Sequence, residues 1–85
     1  MKCSICGKEV KIGYTIIGNR VLCRECGTEY DELVAELTAE LLEAKILGNK
    51  PDLKKIINEE RLGKFKPLKA FIKRDVLTSY IRHAK

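Results

Sequence analysis

The chain has no tryptophan and no glutamine, one histidine and one methionine among its 85 residues. No apolar run approaches the ~20 residues that a membrane-spanning helix needs. A transmembrane protein is therefore not expected. There is no Walker-type phosphate loop, no low-complexity tract and no internal repeat beyond the paired cysteines. His83 stands alone near the C-terminus and reads as a solvated side chain rather than a catalytic base. Glu59-Glu60 reads as a polar helix face, and Asp75 as the partner of a nearby Lys or Arg or as facing a seam between helices. No serine or cysteine sits in a nucleophile arrangement, so no enzymatic activity is expected. No signal peptide is visible, which points to a cytoplasmic setting with reduced thiols. Scarce Gln, Met and Trp beside plentiful Lys, Glu and Ile match a thermophile composition.

The four cysteines are what the chain does have. Cys3 and Cys6 form one C-x2-C pair, and Cys23 and Cys26 form a second. Two residues between cysteines let both sulfurs face one point, with turn amides hydrogen-bonded to them. Two such knuckles offer four thiolates at about 2.3 Å in a tetrahedron, the donor set of structural zinc. With four protein ligands no coordination position stays open, so a catalytic role for the Zn2+ is not expected. Gly7 and Gly27 follow the pairs, and each is expected to take the left-handed conformation that a side chain resists. Two disulfides are the competing use of these cysteines. A reducing compartment disfavours them, although hyperthermophile cytosol tolerates them. A redox C-x2-C needs a thioredoxin-like βαβ context, which is missing.

The fold expected is small α+β. It is a four-cysteine zinc finger with a β-hairpin, followed by a long amphipathic helix and two shorter C-terminal helices. Three parts are read: a zinc module at 1–27, the long helix in 28–50 and a basic helical segment at 51–85. In the first, Glu9-Val10-Lys11-Ile12 alternates like a half-buried strand. Thr15-Ile16-Ile17 and Arg20-Val21-Leu22 flank Gly18-Asn19, a two-residue hairpin turn that returns Cys23 toward the first knuckle. A long helix is expected over 28–48, with Thr28 as N-cap and Asp31 three residues on. Gly48 and Asn49 are its C-terminal signal, and Pro51 ends it. Its apolar stripe includes Tyr30, Leu33, Val34, Leu37, Leu41 and Ala44, with Glu29, Glu32, Glu36, Glu40 and Glu43 as an acidic stripe beside it. A short helix over 52–62, capped by Asp52 and closed by Gly63, precedes a last helix over 67–83. Pro67 suits the first turn of that helix. Its stripe is Leu68, Phe71, Ile72, Val76 and Tyr80, with Leu77 and Ile81 on the other side.

Cys3-Ser4-Ile5-Cys6-Gly7-Lys8, then a hairpin ending Val21-Leu22-Cys23-Arg24-Glu25-Cys26, resembles four-cysteine treble-clef fingers. The likeness covers about a third of the chain and extends to the ClpX-type N-terminal zinc-binding domain. The resemblance implies metal ligation by Cys3, Cys6, Cys23 and Cys26, a helix opening at the second knuckle, and dimerisation with docking of adaptors and substrates. Two departures stand out. No ATPase domain follows, and Gly27 directly after Cys26 disfavours a continuous helix. A zinc ribbon with a separate helix therefore stays open.

The formal net charge of +5 is uneven. Residues 1–50 carry seven Lys/Arg against eight Asp/Glu, and residues 51–85 carry ten against four. A Zn2+ bound by four thiolates makes the first half more negative still. The basic half points to nucleic acid, DNA or RNA, with Lys64, Lys66, Lys69, Lys73, Arg74 and Arg82 as candidate phosphate contacts of a small transcription regulator. The two C-terminal helices would then form a helix-turn-helix-like unit, with 67–83 as the reading helix. Lys85 belongs to the same basic surroundings. The competing use of these cations is pairing with the acidic stripe. The alternative function is a protein-interaction adaptor that forms a homodimer through Val34, Leu37, Leu41 and Ala44. The competing use of that stripe is packing on the chain's own C-terminal helices.

Overall fold

The computed structural model describes residues 1–50 and 52–83. Pro51, read as a helix stop, and Lys85, read as part of the basic surroundings of the last helix, lie outside the described residues. The element order is β1 (Thr15–Ile17), β2 (Arg20–Leu22), α1 (Arg24–Ile46), α2 (Leu53–Ile56), α3 (Glu59–Leu62), a 3-10 segment (Gly63–Leu68) and α4 (Lys69–His83). This is the expected small α+β architecture, with its hairpin, long helix and helical C-terminal part. The chain divides into two compact units, Met1–Glu32 and Leu33–Lys85, with the division inside α1.

In the first unit β1 and β2 pair antiparallel in the expected register, Thr15 opposite Leu22 and Ile17 opposite Arg20. Gly18 has φ +62° and Asn19 does not have positive φ. Glycine thus fills the first turn position, where a II′ hairpin turn requires it. The expected strand at 9–12 does not form. Lys2 and Glu9 make a single isolated bridge, and the chain bends from Lys11 on. Val10 is buried as the alternation implies, but Ile12 is 87% exposed. The backbone already bends over residues 11–13, where Gly13 has φ +70°, so the alternation stops at Val10. The core of this unit is small: three of the four cysteines with Val10, Leu22 and Tyr30.

The long helix starts four residues earlier than expected, at Arg24 rather than Thr28. Thr28 is no cap. Its hydroxyl donates to the Arg24 carbonyl at 2.9 Å, the back-bond of a threonine inside a helix. Cys23 precedes the first helical residue, and its sulfur accepts the Cys26 amide at 3.5 Å. A side-chain acceptor on the third helical N–H is the geometry of an N-cap, here with sulfur in place of oxygen. The other end conforms to expectation. Gly48, at φ +78°, donates to the Lys45 carbonyl at 3.1 Å, and Asn49 donates to that of Ala44 at 2.8 Å. These two bonds make a Schellman motif, which satisfies carbonyls the helix leaves open.

In the second unit the expected helix over 52–62 is two short helices. Asp52 caps α2, its carboxylate accepting the Lys54 amide at 3.0 Å. Asn58 then interrupts: its side chain accepts the Arg61 amide at 3.0 Å and caps α3. An Asn that competes for the backbone favours a new start over helix continuation. Gly63 ends α3 at φ +51°. The chain does not then loop out but continues as the 3-10 segment, which holds Pro67 and packs on α3 and α4. The fourth helix therefore begins at Lys69, two residues later than expected. Leu68, Ile72 and Val76 of the expected stripe are fully buried, with Leu37 and Leu41 of α1 and Ile57, Leu62 and Phe65 also in the core. Leu77 is half-buried, but Ile81 is 58% exposed. No helix among the described residues is long and apolar enough to cross a membrane.

Candidate metal centre

The four cysteines converge. Their sulfurs all lie within 4.8 Å of one another, and none is in a disulfide. Cys6 Sγ and Cys23 Sγ are 3.7 Å apart, so the contact joins the two knuckles. A tetrahedron of 2.3 Å metal–sulfur bonds has edges of roughly 3.8 Å. The donor set thus fits a single tetrahedral ion. Local structure explains the convergence. Gly7 takes φ +75°, as expected, and its amide donates to the Cys3 carbonyl at 2.9 Å, closing the first knuckle. The Ser4 amide donates to the Val21 carbonyl at 2.7 Å, which ties that knuckle to β2 just before Cys23. The second knuckle is the first turn of α1.

Amide donors surround the sulfurs. Ile5 and Cys6 donate to Cys3 Sγ at 3.4 and 3.5 Å. Burial opposes ionisation of Cys3, but hydrogen bonds from the backbone amides and from Cys6 outweigh it and bring the thiol down to about 6. Cys26 goes the other way. Burial first, then its hydrogen bonds with Cys23, Cys3 and Cys6 and the charge on Cys3, push its thiol well up. At Cys6 a hydrogen bond from the Lys8 backbone favours the thiolate, but the Cys3 contact, burial and the Cys23 contact together raise it. Four sulfurs this close do not all carry charge without a cation among them. A metal ion would supply that cation, and its binding would displace protons.

A scan against protein-family models, a search of curated proteins and a search of solved structures each give no match. What this site can do is therefore argued from its own residues.

Gly27 corrects an expectation. It is helical and does not have positive φ. Glycine is needed there for space. A Cβ on Gly27 would lie 2.7 Å from Thr15 Oγ1 and 3.1 Å from Thr15 Cβ. The start of α1 thus packs directly on β1. Replacing Gly by Ala inside a helix normally gains about 1 kcal/mol. The overlap with a short, branched side chain costs about 1–3 kcal/mol. Gly27→Ala is expected to lower the chemical denaturation midpoint, and Thr15→Ala is expected to restore most of the loss. A stabilised Gly27→Ala would contradict this close packing.

The other sequence candidates are placed as follows. Lys64, Lys66, Lys69, Lys73, Arg74 and Arg82 are all exposed. They do not share one face. Lys69 and Lys73 are one turn apart on α4, whereas Arg82, nine residues past Lys73, falls on the opposite side at about 100° per residue. Arg74 lies over the Phe71 ring at 5.3 Å and reaches Asp75 at 3.5 Å. Lys64 lies over the Phe65 ring at 5.4 Å. The acidic stripe has a different partner. Arg61, half-buried, reaches Glu40, and Glu36 at 3.6 Å. Among the described residues Lys66, Lys69, Lys73 and Arg82 form no ion pair. Leu37 and Leu41 are covered within the single chain, while Val34 and Ala44 are half-buried. Lys54 and Lys55, adjacent in sequence, are a further basic pair outside the candidate contacts. Sequence alone does not say that they line the same groove as Lys73.

Proposed function

We propose that this chain is a zinc-stabilised nucleic-acid-binding protein, with Zn2+ held by Cys3, Cys6, Cys23 and Cys26 and phosphate contacts made by the basic C-terminal segment. The observation that carries the reading is the division of charge in the second unit. Arg61 occupies Glu36 and Glu40, and Lys66, Lys69 and Lys73 stay exposed to solvent. Lysines spent on the acidic stripe would have left no electrostatic footprint. The zinc assignment is supported by the four-sulfur donor set and its spacing. The treble-clef likeness is supported by a second knuckle that opens a helix. Cysteines held outside disulfides agree with a reducing, cytoplasmic compartment. No catalytic residue is proposed, and His83 is exposed at the end of α4.

The test is fluorescence anisotropy with labelled DNA and RNA across about 50–200 mM salt, where counterion release makes phosphate binding fall steeply. Binding is expected at low salt, and Lys69→Glu with Lys73→Glu is expected to abolish it. Absence of binding to either nucleic acid at low salt refutes the reading.

A further inference from the structure

We propose that nucleic acid seats its sugar-phosphate backbone in a lysine-lined groove between α2 and α4, and that this groove reads charge without reading bases. The inference deepens the nucleic-acid reading and rests on it. Two adjoining hollows, of about 490 and 630 Å³, share Leu53, Lys54 and Lys73. Lys69 lines the first, and Lys50 and Lys55 line the second. Among the described residues, five lysines thus border the two adjoining hollows. Against them stand two carboxylates, Glu59 in the first hollow and Asp52 in the second. Asp52 is already committed to the Lys54 amide as the α2 cap. The surface is therefore strongly cationic, and α2 and the loop before it supply three of its five lysines.

The lining also says what the groove does not do. No aromatic side chain borders either hollow, so bases have no stacking platform. No arginine borders them either, so the forked contact that most often identifies guanine is missing. Lysines act as point charges, which suits a polyanion held by counterion release. Leu53 and Ile57 are apolar, and Asn58, which also lines the first hollow, has its side-chain amide committed to the Lys55 carbonyl and the Arg61 amide rather than to a base edge. Arg74 and Arg82 lie outside this groove. The binding surface is thus narrower than the basic C-terminal segment on one side and wider on the other.

Anisotropy titrations of the full metal-loaded chain with short duplex and single-stranded DNA of unrelated sequences test this. Lys50→Gln/Lys54→Gln/Lys55→Gln is expected to weaken binding at least about tenfold and to flatten the log–log salt slope by about three, alike for all sequences. Arg74→Gln/Arg82→Gln is expected to change little. Lys69→Gln/Lys73→Gln, on the opposite bank, is expected to match the first variant, and circular dichroism checks that each variant stays folded. If the Lys50/Lys54/Lys55 variant binds like wild type while the arginine variant weakens, the groove is wrong and the nucleic-acid reading stands. If wild type binds neither nucleic acid at low salt, the reading itself fails and the groove with it. Tighter binding of polyglutamate than of DNA at equal charge concentration would also overturn the proposal, because the groove would then serve acidic protein.

Discussion

Removing the metal from the four-cysteine site is expected to unfold the first unit. Apart from its cysteines, that unit buries only Val10, Leu22 and Tyr30 as core side chains. A lone two-stranded hairpin is marginal in water. Structural zinc contributes about 10–16 kcal/mol in finger peptides near neutral pH. That exceeds anything three apolar side chains supply, at about 1.5–3 kcal/mol each. Chelation, or Cys26→Ser, should therefore abolish protection of the Thr15–Ile17/Arg20–Leu22 amides in hydrogen exchange. Metal analysis of freshly reduced protein should give one zinc per chain. A protected hairpin after chelation, or less than half a zinc per chain, would defeat the assignment. Because binding needs thiolates and burial and its sulfur neighbours raise the Cys26 thiol, affinity should also rise with pH as protons are displaced.

Leu37→Ala should cost about 2–5 kcal/mol, with a loss that does not depend on protein concentration. Leu37 is 0% exposed in a single chain and Leu41 is 2% exposed. Truncation there opens a cavity in the second unit. If Leu37 instead served a homodimer seam, stability would rise with protein concentration, because association adds to it. Thermal melts across a wide concentration range, with light-scattering mass, separate the two. A melting temperature that climbs with wild-type concentration, lost in Leu37→Ala, would favour the adaptor reading.

Features carried by local chemistry were legible in advance. The four-cysteine cluster follows from spacing alone, and the sulfurs lie where the two pairs imply. The hairpin register follows from Gly18-Asn19 between two short apolar strands. The Schellman end of α1 follows from Gly48, and the α2 cap from Asp52. Each of these is a signal contained within a few residues. The misread features involve a competitor or a distant neighbour. Gly27 looked like a breaker, and it is a spacer, because Thr15 lies against it. Thr28 looked like a cap, but Cys23 had already taken that role with its sulfur. The alternation at Glu9–Ile12 was real, but only Val10 found a core.

Charge and burial divide the same way. Composition determined that the C-terminal part is basic and that α1 carries acids. It did not determine that Arg61 alone would take Glu36 and Glu40. Nor did it show that Lys69 and Lys73 line a groove with Lys54 while Arg82 points elsewhere. By itself, the sequence established a four-cysteine cluster, a hairpin to close it and a long helix beyond. Tertiary structure decided where that helix starts and which cations share a surface. The reason is physical: thiol spacing, turn residues and caps act over one or two turns of chain, whereas packing space and charge pairing depend on residues brought close only by the fold.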